Sequence, residues 1–341
     1  MKQNIIYNSI EKVSLRPDRV VFYNETWKYD TINECILKRV NNSVGGNQLK
    51  RFHNFEISLN ARRELSNKIA WLYSMARKKK VKTISGKEIF NFKMNFITVT
   101  LPSSQVHCTS EITSSAFNQF LTELRKSYNL VNYVWRLEFQ KNGNVHYHIA
   151  TDVYIDYYIL LKVWNRCINK LGYVDRYQEK MKSLTLPDYV KLCGNYGEKN
   201  FKEISERYAS NVSKGWKIPP SVDVKSCTSG KKISMYIAKY FGKGDKSGTK
   251  CNALDTEENS FSLRLWFCSR SLSKLKTISE YVSNCYYDFK VMLGPLECVK
   301  KFYHDYCTVF YFQITELPRL IQEELKLIFD LHAEMMNYTP G

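Results

Sequence analysis

The stretch YVWRLEFQKNGNVHYHIATDVY, Tyr133–Tyr154, decides the fold. Two runs rich in β-branched and aromatic residues flank Lys141-Asn142-Gly143-Asn144, so the segment predicts a β-hairpin closed by a tight turn. Side chains alternate between the two faces of a strand. His146 and His148 therefore share one face, while Val145, Tyr147 and Ile149 take the other, toward the core. Two imidazoles on one face are either surface residues or two ligands aimed at one metal ion.

A third ligand would favour the metal. Glu138 is the candidate, and the hairpin register decides whether it reaches. A two-residue Asn142-Gly143 turn places Glu138 opposite Tyr147, on the wrong face. A three-residue Lys141-Asn142-Gly143 loop, with Gly143 left-handed in a bulge, places Glu138 opposite His146. The sequence permits both, and the three-residue loop is the expectation adopted. Two imidazoles and one carboxylate leave coordination positions open, the pattern of a catalytic site. With a phosphate as partner, such a mixed set favours Mg²⁺ or Mn²⁺.

The composition points to such a phosphate. Lys and Arg number 51 against 33 Asp and Glu, a net charge of +18, and the chain carries 24 tyrosines. Basic charge with abundant aromatics suits nucleic acid. No apolar run approaches the length of a membrane span, so no membrane partner is expected. The N-terminus lacks the apolar core of a signal peptide. The ten cysteines form no C-x-x-C pair. Reduced thiols in a cytoplasmic protein follow as the expectation.

Around the hairpin the pattern alternates between strand and helix. Met94–Pro102 reads as a strand, Thr113–Tyr128 as an amphipathic helix, Tyr157–Gly172 as another helix and Phe261–Ser269 as a strand. Ser58–Lys82 reads as a helix with Leu65, Ile69, Leu72 and Met75 on one stripe. It ends in the basic run Arg77, Lys78, Lys79 and Lys80, a candidate contact for DNA phosphates. Residues 173–225 are polar, lysine-rich and poorly periodic, and read as an insertion or a mobile, DNA-facing segment. Leu317–Met336 is an amphipathic helix suited to packing. The whole is an antiparallel α+β pattern.

A metal beside nucleic acid needs a nucleophile. The segment Lys231–Gly244 reads as a helix with Tyr236 and Tyr240 at i and i+4, hence on one face. Lys243 extends that face and Lys239 flanks it. A phenol is a poor nucleophile unless a nearby cation lowers the cost of ionising it, and the lysines and metal supply that. Gly242–Lys250 misses the phosphate-loop spacing because Ser247 stands where the second glycine belongs. No ATPase activity or fused helicase is expected, so a host helicase would provide any unwinding.

In combination, FITVTLP, then His-Tyr-His, then Tyr-x-x-x-Tyr on a helix resemble the HUH endonuclease superfamily. The closest resemblance is to two-tyrosine rolling-circle replication initiators of small single-stranded-DNA phages and plasmids. RLWFCSRSLS, Arg264–Ser273, is similar to the segment that follows the tyrosine helix in the phage proteins. The resemblance covers about Met94 to Ser273. It implies an RRM-like (ferredoxin-like) antiparallel sheet with flanking helices. It also implies that His146, His148 and Glu138 hold the cation while Tyr236 or Tyr240 attacks single-stranded origin DNA. A 5′-phosphotyrosine and a free 3′-OH result, which a host DNA polymerase would extend; Lys239 neutralises charge on the phosphoryl oxygens. If phage-encoded, the protein would work in the host cytoplasm. A transposase or relaxase with the same chemistry, or a non-catalytic RRM-like nucleic-acid-binding module, are the alternatives. The implied layout is a basic, partly helical extension over 1–90, a nicking domain over 91–275 and a helical extension over 276–341.

Overall fold

The structure, a computed structural model, describes residues 7–28, 57–194, 198–227, 263–281, 284–305 and 307–340. The chain forms two compact units. One comprises the described residues of Met1–Asn54, Asn67–Met75 and Arg270–Thr339, and the other those of Phe55–Ser66 and Ala76–Ser269.

The chain begins with a hairpin of β1 (Tyr7–Arg16) and β2 (Arg19–Lys28), followed by α1 (Leu59–Met75). The stripe read on α1 is real: Leu65, Ile69, Leu72 and Met75 are all buried. The basic run does not end that helix. α1 stops at Met75, and Lys79–Lys82 is strand β3, paired with β4 (Glu88–Phe92) in a separate two-stranded sheet. The cause lies in Val81, Ile89 and Phe92, which alternate at strand spacing and take over where the helical stripe runs out.

The second unit is built on β5 (Met94–Thr100), α2 (Asn118–Ser127), β6 (Tyr133–Phe139), β7 (Val145–Thr151), α3 (Tyr157–Asn169) and β8 (Val222–Cys227). Those strands lie side by side in the order β8-β5-β7-β6, every pair antiparallel, with β9 (Trp266–Cys268) added beside β6. Chain order β-α-β-β-α-β with the last strand next to the first is the ferredoxin-like arrangement that RRM domains share. The α+β, RRM-like expectation therefore holds.

One sheet face carries the core. Ile97, Val99, Trp135, Leu137, Tyr147 and Ile149 are buried there. The π-helical turn Ile112–Phe117 delivers Phe117 flat onto Tyr147, with ring centroids 3.8 Å apart and planes 9° from parallel. Trp135 and Trp164 meet Phe117 edge-on, and Phe120 meets Trp164. The polar atoms in this aromatic plate are satisfied: the Tyr147 hydroxyl shares a hydrogen bond with Thr113 Oγ1 (2.8 Å), and Trp164 Nε1 donates to Thr100 O (2.8 Å).

Residues 173–225 are ordered, contrary to the reading of that stretch as poorly periodic. They fold as α4 (Tyr173–Lys182), α5 (Leu186–Cys193) and α6 (Glu198–Ser213), and then supply β8. Met181, Tyr189, Ile204 and Trp216 form a small core for them. The helices are short and each buries little, so lysines dominate the pattern; the stronger local signal is the capping box of Thr185 and Asp188, with Pro187 between them.

The first unit closes at the far end of the chain, with β10 (Ile278–Tyr281), α8 (Asn284–Leu293), β11 (Lys300–His304), β12 (Cys307–Tyr311) and α9 (Arg319–Met335); the short α7 (Arg270–Lys274) precedes them. Its sheet has the order β10-β1-β2-β12-β11, so strands from both ends of the chain alternate within it. α9 buries Ile321, Leu325, Phe329 and Ala333 at a spacing of four, and Phe329 meets Trp71 edge-on at 5.0 Å. Phe117→Ala should cost about 3–5 kcal/mol, because the vacated space cannot collapse between the sheet and Trp164. Urea unfolding monitored by tryptophan fluorescence measures it.

Candidate metal centre

The centre starts from the turn. Gly143 N donates to Gln140 O (2.9 Å) and Gln140 N to Asn144 O (2.8 Å), enclosing the three-residue loop. Gly143 has φ +83°, the left-handed conformation a side chain would strain. Asn142 Oδ1 accepts from Asn144 N (3.0 Å). The buried Asn144 side chain then ties the hairpin to the loop after β5: Oδ1 accepts from Gln105 N and Nδ2 donates to Ser103 O, both 2.9 Å. Gln105 Oε1 accepts in turn from Val145 N (2.8 Å). With the turn held, Glu138 stands opposite His146, and Arg136 opposite His148.

Glu138, His146 and His148 converge on the sheet face opposite the aromatic plate, with one ligand atom of each within 4.8 Å of the others. Glu138 Oε2 lies 3.2 Å from His148 Nε2 and 3.5 Å from His146 Nε2. Ligand atoms bound at about 2.1 Å around one tetrahedral or octahedral ion stand roughly 3.0–3.4 Å apart, so this triad fits a single small divalent ion. His148 is buried, whereas His146 and Glu138 are half-buried and open one side to solvent.

Two residues that the sequence reading passed over complete the site. Arg136, fully buried, places Nη1 3.2 Å from Glu138 Oε1, so one carboxylate oxygen faces the guanidinium and the other faces the imidazoles. Thr98 Oγ1 lies 2.9 Å from His148 Nδ1. When Nε2 ligates an ion, Nδ1 carries the proton and donates it to Thr98, which fixes the ring. Both could have been found by parity, since Arg136 is two residues from Glu138 and Thr98 alternates correctly in FITVTLP. In register, Asp223, Thr98, His148, Arg136 and Trp266 form one row across the sheet.

The charge states favour a cation. Burial alone would raise the Glu138 pKa, but hydrogen bonds from His146 and His148, with the charges of His148 and Arg136, hold it down at about 2. Burial pushes His148 below the usual histidine value, against the opposing pull of Glu138. At neutral pH the site thus offers an ionised carboxylate beside a neutral His148 ring, the forms that bind metal.

Tyr236, Lys239, Tyr240 and Lys243 lie outside the described residues. Arg77 and Lys78 are exposed in the connection ahead of β3, and Lys79 and Lys80 are in that strand. Among the described residues no helix is long and apolar enough to cross a membrane.

Residues 94–245 match the family model of the ORF2-type replication-associated proteins. That span holds the whole triad and both tyrosines. The match supports a role in replication initiation. No curated protein and no solved structure matches the chain.

Two measurements test the centre. Arg136→Met should weaken Mn²⁺ binding by about 10–100-fold, the usual cost of losing a residue that orients a ligand; isothermal titration calorimetry reads it. Because His148 is depressed, protons should compete with Mn²⁺ only below the ordinary histidine range. Affinity should stay level as pH falls toward about 6.5 and drop beneath it, as followed by the electron paramagnetic resonance signal of free Mn²⁺.

Proposed function

We propose, for a chain whose central segment carries the replication-associated family match, that it is a metal-dependent DNA nicking and joining enzyme that starts rolling-circle replication. The observation that carries this reading is the Glu138–His146–His148 triad on an RRM-like sheet inside the matched segment. His146, His148 and Glu138 would hold Mg²⁺ or Mn²⁺, with Arg136 and Thr98 orienting them. The ion supplies Lewis-acid polarisation of the scissile phosphate and charge stabilisation.

The remaining chemistry belongs to side chains assigned from the sequence. The phenolic oxygen of Tyr236 or Tyr240 attacks phosphorus in a single-stranded origin. An O–P bond to tyrosine forms, the bond to the 3′ oxygen breaks, and that oxygen takes up a proton to leave a 3′-OH primer. Lys239 would offset charge on the phosphoryl oxygens. The second tyrosine would attack in a later round, and reversal of the step rejoins strands. Lys243 and the Arg77–Lys80 run would contact the DNA backbone, and host helicase and polymerase would unwind and extend.

The deciding experiment mixes the protein with single-stranded oligonucleotides tiled across its own genome's candidate origin, in Mn²⁺ or EDTA, on a denaturing gel. A Mn²⁺-dependent adduct is expected, mapped by mass spectrometry to Tyr236 or Tyr240 and lost in His146→Ala/His148→Ala. Tight binding with no adduct on any oligonucleotide would instead make the chain a binding module.

A further inference from the structure

The β3–β4 hairpin is the most basic segment among the described residues, and it is a different kind of element from the metal centre. Between Arg77 and Lys93 stand seven basic residues, Arg77, Lys78, Lys79, Lys80, Lys82, Lys87 and Lys93, against the single acid Glu88. The hairpin is a sheet of its own: among the described residues neither strand pairs with a third. Val81 and Ile89 face each other and are half-buried, whereas Lys80, Lys82, Glu88 and Phe90 are exposed. A bulge beside Asn91, whose φ is +54°, resets the alternation so that Phe92 turns inward and packs edge-on against Tyr154 at 5.4 Å.

This ribbon is held rigid rather than left to flap. At its tip Thr83 N donates to Lys87 O (2.8 Å) and Lys87 N to Thr83 Oγ1 (2.9 Å). Asp156 then pins the tip: Oδ2 accepts from Ile84 N (2.9 Å), while Oδ1 caps α3 through Tyr158 N (2.9 Å). Two lysines are pre-aimed by aromatic faces, with Lys80 Nζ 5.0 Å from the Phe90 ring centre and Lys79 Nζ 5.6 Å from that of Phe92. β4 passes into β5 through Lys93 alone, and β5 carries Thr98 of the metal centre.

We propose that the β3–β4 ribbon is a double-stranded-DNA arm that seats in the major groove and sets its lysines on the flanking phosphates. The proposal rests on the reading that the chain acts on DNA and adds a second form of it as ligand. The major groove, about 12 Å wide, admits a two-stranded ribbon. Exposed Ile84 at the tip offers an apolar contact for a thymine methyl. A single strand is the poorer fit, because unpaired bases need a row of stacking platforms. The outward face has one exposed aromatic, Phe90, and Lys80 lies over it. In this arrangement the ribbon grips duplex beside the origin while the metal centre, joined to it through β5, addresses the strand to be cut.

The test is the variant Lys78→Ala/Lys80→Ala/Lys82→Ala, all three exposed and outside any core. Fluorescence anisotropy with a random-sequence duplex and the corresponding single strand, across a salt series, gives both affinities. Duplex affinity should fall at least tenfold and the slope of log K against log salt should shrink by about 2–3, as expected for three lost phosphate contacts. Single-strand affinity should change less than twofold. An unchanged duplex slope, or equal losses on both forms, would overturn the proposal. Adduct formation is not part of this readout, so the absence of nicking would refute the proposed chemistry and leave the ribbon standing.

Discussion

The pairing of Glu138 with His146 is the constraint on which the site depends. A strand has a period of two, so a slip of one residue would move the carboxylate to the face occupied by Tyr147. The register is held by small things: one left-handed glycine, an asparagine that bonds within the turn, and a second asparagine that bonds outward to the loop after β5. None of these touches the triad. Each removes a competing alignment of β6 against β7.

The central sheet separates two environments by the thickness of one strand. Beneath it, stacked and edge-on rings exclude water and give β7 a stiff support. Above it, a carboxylate, two imidazoles and a buried guanidinium share one small area. Charges taken out of water are costly unless paired. Here Glu138 divides its oxygens between Arg136 and the histidines, which compensates the burial of each and leaves the open side for a ligand. The two faces are coupled through His148, whose neighbours in sequence, Tyr147 and Ile149, are locked into the core.

Much of this was legible in advance. The three-residue loop, the shared histidine face, the helices of Tyr157–Gly172 and Leu317–Met336 and the stripe Leu65–Met75 all show in local pattern because local geometry causes them. What escaped notice has a common physical origin. The Arg77–Lys80 run sits where a helical stripe ends and a strand alternation begins, and lysine suits either. β8 was hidden in a lysine-rich stretch because it is an edge strand, with Asp223 and Lys225 on its outer positions. Arg136 was overlooked since a charged residue inside a strand gives no sign that it will be fully buried beside a carboxylate. The sheet shared by the two ends of the chain lay beyond any window, since its pairing is not a local property.

That last sheet has a consequence for how the protein is made. Arg19 and Tyr311 bond to each other across 292 residues. On a ribosome the strands of the central sheet emerge in succession and can pair as they appear, whereas β2 must wait for nearly the whole chain before β12 is available. Until then the first hairpin presents a strand edge with nothing beside it, the kind of edge that invites pairing with another chain. Translation speed and chaperone capture thus bear on the ends of this protein far more than on its middle, and the slow folding step belongs to the pairing of greatest sequence separation.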